Sequence, residues 1–176
     1  EHCKLAKKCI DIMCNKYKMN GLLIGKFNYE LPIGCHNLIE STDFINYSKF
    51  IKQYEKCRFI FIPDLLEAHQ SILTEALCFD LPCIVNKNIL CGWKYINEKT
   101  GMLFNDENDF ENVLKEFQSK FNTFRPRDYF INNHGPEYEG KQIVQFIKDN
   151  IPNYKEEINL DLDKIDYLRP TINIIE

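Results

Sequence analysis

The chain has 176 residues, 44% of them apolar and 27% charged, the balance of a globular domain with a buried core of its own. Lys plus Arg number 22 against 26 Asp plus Glu, a formal charge of −4, and Arg58, Arg125, Arg127 and Arg169 are the only arginines. That argues against a nucleic-acid binder built on clustered positive charge; no apolar run approaches the ~20 residues needed to span a bilayer, and no signal-peptide pattern opens the sequence.

In chain order, residues 3–18 place Leu5, Cys9, Ile12 and Met13 at helical spacing, leaving Lys4, Lys7, Lys8, Lys16 and Lys18 for a solvated face. Asn20-Gly21 ends that helix, and residues 22–25 read as a short buried strand. A second strand is expected around 37–39 and a helix over 47–56. The run Arg58-Phe59-Ile60-Phe61-Ile62, closed by Pro63-Asp64, is the strongest strand signal. Residues 71–79 give a helix with Ile72, Leu73, Ala76 and Leu77 on one side; Asp80-Leu81-Pro82 then turns the chain into the buried strand Cys83-Ile84-Val85. A strand at 101–104, an amphipathic helix at 108–120, an irregular stretch at 121–135 and a closing helix at 137–149 complete the series. Apolar strands separated by helices predict an α/β fold, a Rossmann-like parallel sheet with helices on both faces. The lobe is expected to span residues 1–153, followed by an acidic tail over 154–176.

Eight cysteines (Cys3, Cys9, Cys14, Cys35, Cys57, Cys78, Cys83 and Cys91) form neither a Cys-x-x-Cys pair nor a zinc spacing with histidine. Several stand where an apolar residue belongs, as Cys83 does before Ile84-Val85, so reduced thiols and a cytoplasmic setting are expected. The sequon Asn46-Tyr47-Ser48 is then incidental. Gly21 to Lys26 falls one residue short of a phosphate-binding loop and carries Phe27 where Ser or Thr belongs. Asp161-Leu162-Asp163 has a metal-binding spacing but lies in the polar tail, and no Gly-x-Gly-x-x-Gly is present. None of His2, His36, His69 and His134 pairs with Cys or Asp at catalytic spacing.

Chemistry concentrates in residues 58–92, which read strand, loop, helix, turn, strand. Open α/β sheets bind ligands at the carboxyl ends of their strands, so the loop 63–70 and the helix start at Ser71 occupy the functional edge. Amides at a helix N-terminus suit phosphate, and Ser71 adds a hydroxyl. Glu67 in the loop and Glu75 one turn into the helix are eight positions apart, ~12 Å were both helical. That exceeds the ~5–9.5 Å of a glycosidase carboxylate pair but matches the reach of a sugar–diphosphate–ribose. Carboxylates accept hydrogen bonds from vicinal hydroxyls, which suits the two ends of such a ligand.

The pattern Pro63, Glu67, Glu75-Ala76-Leu77 and Leu81-Pro82-Cys83-Ile84-Val85, with Cys91-Gly92 and Thr100-Gly101-Met102-Leu103-Phe104 downstream, resembles the nucleotide-sugar-binding half of GT-B glycosyltransferases, especially the retaining family 4. The similarity covers roughly residues 20–120. It implies that Glu75 holds the donor ribose hydroxyls and that Glu67, the candidate catalytic residue, meets the donor sugar or its anomeric phosphate. It further implies that the backbone of Ala68, His69, Gln70, Ser71 and Ile72 binds diphosphate and sugar, and that main chain near Ile45 meets the base. Transfer from a nucleotide-diphosphate sugar to an unspecified acceptor would need neither a bound metal nor another cofactor. The chain resembles one lobe of such an enzyme, its partner lobe lying N-terminal to Glu1.

Four departures qualify the match. Gln70 stands where relatives carry Gly, Cys91 replaces the first Gly of a pair, and Tyr95 takes an acidic position. The upstream loop that grips the diphosphate in such enzymes is not recognisable, and Lys26 is a weak substitute for it. They keep open a Rossmann-like interaction module without chemistry, and a non-transferase GT-B relative such as a sugar epimerase or phosphorylase also fits.

Overall fold

The structure is a computed structural model describing residues 2–24, 30–35, 39–42, 45–63 and 71–151. It divides into two compact units, Glu1–Tyr138 and Glu139–Glu176. In chain order the elements are α1 (His2–Asp11), a π-helical turn (Ile12–Lys16), β1 (Gly21–Ile24), β2 (Ile39–Thr42), α2 (Tyr47–Tyr54), β3 (Ile60–Ile62), α3 (Ser71–Cys78) and β4 (Cys83–Asn86). A 3₁₀ turn (Gly92–Tyr95), β5 (Gly101–Phe104), α4 (Glu107–Lys120), a second 3₁₀ turn (Phe121–Thr123), α5 (Pro126–His134) and α6 (Pro136–Asn150) follow.

All described strand pairs are parallel. β1 pairs with β2, and β3–β4–β5 form a three-stranded sheet. The described strands thus fall into two hydrogen-bonded sets rather than the single expected sheet. The expected five-residue strand at 58–62 shortens to β3 because its first two residues serve the flank. Arg58 sets its guanidinium over the Phe121 ring, 4.5 Å from the centroid, and Phe59 packs on Phe117 of α4.

β4 is buried from end to end, and its alternation divides the core. Ile84 faces Phe104, Phe110, Leu114 and Phe117, together with Cys9, Ile10, Met13 and Cys14 from α1 and its π turn. Cys83 and Val85 face Tyr54, Leu73, Ala76, Leu77, Leu81 and Ile89. Helices therefore cover both faces: α1 and α4 on one, α2 and α3 on the other. Full burial of a side chain such as Leu77 contributes about 1.5–3 kcal/mol.

Three further differences from the sequence reading have physical causes. The helix at 3–18 changes to π geometry at Ile12, with Tyr17 N–H donating to Ile12 C=O at 3.2 Å. The wider turn buries Cys14 beside Met13 and lets the Tyr17 hydroxyl reach Glu111 at 3.1 Å. The lysine face is not merely solvated, since Lys8 pairs with Glu107 and Lys16 with Glu111 at 2.7 Å, both on α4. The stretch 121–135, expected to be irregular, is largely helical. Pro126 at the first turn of α5 and Asp128 beside it favour a helix start, although the segment lacks apolar periodicity.

Candidate functional site

Chain order puts four features at the carboxyl ends of β3, β4 and β5: the starts of α2 and α3, the turn 87–91 and the start of α4. α2 leads directly into β3, so its first residues lie at that edge and its last at the other. Its N-terminus is fixed by Asn46, whose side chain accepts from Lys49 N–H at 2.9 Å. The sequon asparagine thus has a local structural use.

Asn86, the last residue of β4, organises the edge. Completely buried, it accepts from Asn88 N–H at 2.9 Å and donates to Asn105 C=O at 3.3 Å, tying the loops after β4 and β5 together. The second loop is closed by the Asp106/Asp109 capping box of α4, with Asp109 also accepting from Asn105 N–H at 3.0 Å. Because these carboxylates already satisfy the first amides of α4, that helix start is no free anion site. Cys91 at the far end of the first loop has left-handed backbone, φ 62° and ψ −15°, as a glycine there would. The expected Gly-to-Cys departure therefore keeps the backbone shape.

Of the residues singled out from sequence, Ser71, Ile72 and Glu75 share α3, while Ile45 lies half-buried just ahead of Asn46. Glu67, Ala68, His69 and Gln70, like Lys26, lie outside the described residues. Ile72 does not join Leu73, Ala76 and Leu77 in the core as expected; it is exposed, while those three pack in the core cluster. Ser71 is also exposed, its carbonyl accepting from the Thr74 hydroxyl at 3.1 Å.

Glu75 is half-buried, and α2 reaches it twice. The Tyr54 hydroxyl donates to Oε2 at 3.1 Å and the Tyr47 hydroxyl to Oε1 at 3.4 Å. Both hydroxyls are pushed above the ordinary phenol pKa, first by burial and then by the negative charge of Glu75, so they remain protonated donors at neutral pH. Neither tyrosine was singled out from sequence. The available signal was their seven-residue spacing, two turns along one helix face, together with the need of a core tyrosine for a hydroxyl partner.

The neighbouring thiol of Cys78 is raised, first by burial, with Arg127 opposing the rise, which makes it a poor nucleophile. Cys9, Cys14, Cys35, Cys57, Cys83 and Cys91 are free thiols as well. Among the described residues no group of three or more His, Cys, Asp or Glu is placed to hold a metal ion, and no helix is long and apolar enough to cross a membrane.

The arrangement offers one carboxylate with acceptor capacity to spare, one turn into a helix that starts at the carboxyl edge of a parallel sheet. It can receive paired hydroxyls. No protein-family model matches the chain, and no curated protein matches it either.

Proposed function

We propose that the chain is the donor-binding part of a glycosyltransferase, a Rossmann-like lobe of the GT-B kind. It would take a nucleotide-diphosphate sugar and pass the sugar, with retention, to an acceptor held in part by a second lobe. The observation that carries this reading is the Glu75 carboxylate one turn into α3, with the Tyr54 hydroxyl on one oxygen and the Tyr47 hydroxyl on the other. A ribose diol donates to that carboxylate, the diphosphate lies against amides at the helix start near Ser71 and Ile72, and Glu67 meets the sugar end. The base lies toward Ile45 and the start of α2. A cytoplasmic setting with reduced thiols suits such a donor.

Calorimetric titration of UDP, GDP and their sugars into the chain, with Glu75→Ala alongside, tests the proposal. Loss of charge-assisted hydrogen bonds of about 1.5–3 kcal/mol predicts affinity weakened roughly 10- to 100-fold. Equal affinity for wild type and variant contradicts the site assignment.

A second reading is favoured by the same carboxylate. Because Tyr47 and Tyr54 each engage one oxygen, Glu75 also clamps α2 to α3, as it would in an interaction module without chemistry. Leu90 and Trp93, exposed beyond β4, suit that role. A stably folded chain that binds none of these nucleotides supports it.

A further inference from the structure

The two tyrosines that reach Glu75 are held very differently. Tyr54 is 4% exposed, its ring stacked on Phe79 at 5.1 Å and met edge-on by Phe50 at 5.3 Å. Its hydroxyl lies 3.1 Å from Glu75 Oε2, with the Ile72 carbonyl 3.4 Å away on the same helix turn. The single hydroxyl proton goes to the nearer, charged acceptor. Buried, stacked on Phe79 and in T-shaped contact with Phe50, Tyr54 is held at Oε2.

Tyr47 is the first residue of α2 and 65% exposed, and its hydroxyl meets Oε1 at 3.4 Å, the outer limit of a hydrogen bond. A bond that long, on a ring open to water, is readily exchanged. A carboxylate offers about four lone-pair directions, and the two tyrosines occupy one on each oxygen. Glu75 is thus fixed through Oε2 and only loosely covered at Oε1.

We infer that Tyr54 is the positioning residue of the Glu75 carboxylate and Tyr47 its displaceable cover, so that the site selects ligands presenting a vicinal diol to the two carboxylate oxygens. The inference rests on the donor-binding reading and adds to it a means of telling ribonucleotides from deoxyribonucleotides. On binding, a ligand hydroxyl takes the place of the Tyr47 hydroxyl, while the Tyr54 bond persists and keeps the second oxygen in register for the adjacent hydroxyl. No bond to carbon forms or breaks; one hydrogen-bond donor replaces another.

The test is titration of UDP and GDP, and of their 2′-deoxy counterparts, into wild type, Tyr54→Phe and Tyr47→Phe. Phenylalanine preserves both ring contacts of Tyr54, and thermal melting verifies the fold. Tyr54→Phe is expected to weaken ribonucleotide binding about 5- to 10-fold and deoxynucleotide binding less than about twofold. Tyr47→Phe is expected to tighten ribonucleotide binding slightly, since a competing donor is gone. The ratio of ribo to deoxy affinity is the decisive readout, because a purely structural role for Tyr54 weakens both ligands alike. Equal losses for the two ligand types, no loss with Tyr54→Phe, or a loss with Tyr47→Phe as large as with Tyr54→Phe each overturn the inference while leaving donor binding intact. Wild type that binds none of the four nucleotides overturns the donor-binding reading and the inference with it. If Tyr54→Phe does not fold, Glu75→Gln must collapse the same ratio with Tyr54 in place, and an unchanged ratio there overturns the inference.

Discussion

At the scale of single residues, backbone geometry decides what the edge tolerates. Gly101 has φ +155°, and a Cβ there meets the Cys83 carbonyl oxygen at 2.0 Å, within the β4–β5 pairing itself. Any side chain must push the two strands apart. Cys91, by contrast, holds a left-handed backbone without being glycine, at a cost of about 1–2 kcal/mol. Part of that cost is offset because glycine loses more freedom on folding. Cys91→Gly is therefore expected to raise stability by about 0.5–1 kcal/mol, and Gly101→Ala to lower it by about 2 kcal/mol or more, both read by urea unfolding. The reverse order of stabilities would contradict this account. Gly101 was legible from its place before Met102-Leu103-Phe104. The glycine-like role of Cys91 was legible only as a departure, since side-chain chemistry does not report φ. Tyr47 and Tyr54 went unread because their importance lies in which carboxylate they reach, a tertiary property.

At the scale of elements, α4 holds α1 and the π turn through charges as well as through its buried Phe110, Leu114 and Phe117. Glu111 receives Lys16 at 2.7 Å, Lys115 at 2.9 Å and the Tyr17 hydroxyl at 3.1 Å, and these donors pull its pKa from 4.5 to about 2. The folded value lies below the unfolded one, so the associated stability is complete above about pH 4.5. It disappears as pH falls toward 2. The raised pKa of Lys115 reflects the same contact and adds nothing separate. Melting temperatures of wild type and Glu111→Gln should differ near pH 6 and converge between pH 4.5 and 2, with the gap narrowed by added salt. A pH-independent gap would assign the effect to packing instead. Elements with regular apolar spacing, α2, α3, β4, β5 and α4, were legible within a residue or two. The π turn and α5 were not. The first depends on which side of Met13 the core lies, and the second is started by Pro126 and Asp128 without an apolar stripe.

At the scale of the molecule, helices on both faces of a parallel sheet follow from buried strands such as β4, and that much of the architecture was readable in advance. The division of the strands into two sets was not, because ladder pairing depends on how short strands such as β3 meet their neighbours. Ser71 opens α3 and Glu75 lies one turn further on, the helix position that the strand–helix pattern gave them. The ties that Asn86 makes between the edge loops and the hold of the α2 tyrosines on Glu75 are long-range, marked locally only by the seven-residue spacing of those tyrosines. The account's central claim is that a nucleotide diphosphate seats at this edge, across the starts of α2 and α3. Amide chemical shifts of the ¹⁵N-labelled chain during titration with UDP and GDP test it most directly. The account predicts saturable changes at Tyr47, Ser71, Ile72 and the turn 87–91, with Asp80, Leu81 and Asn97 at the opposite edge unmoved; changes centred on that opposite edge, or none at α2 and α3, would contradict it.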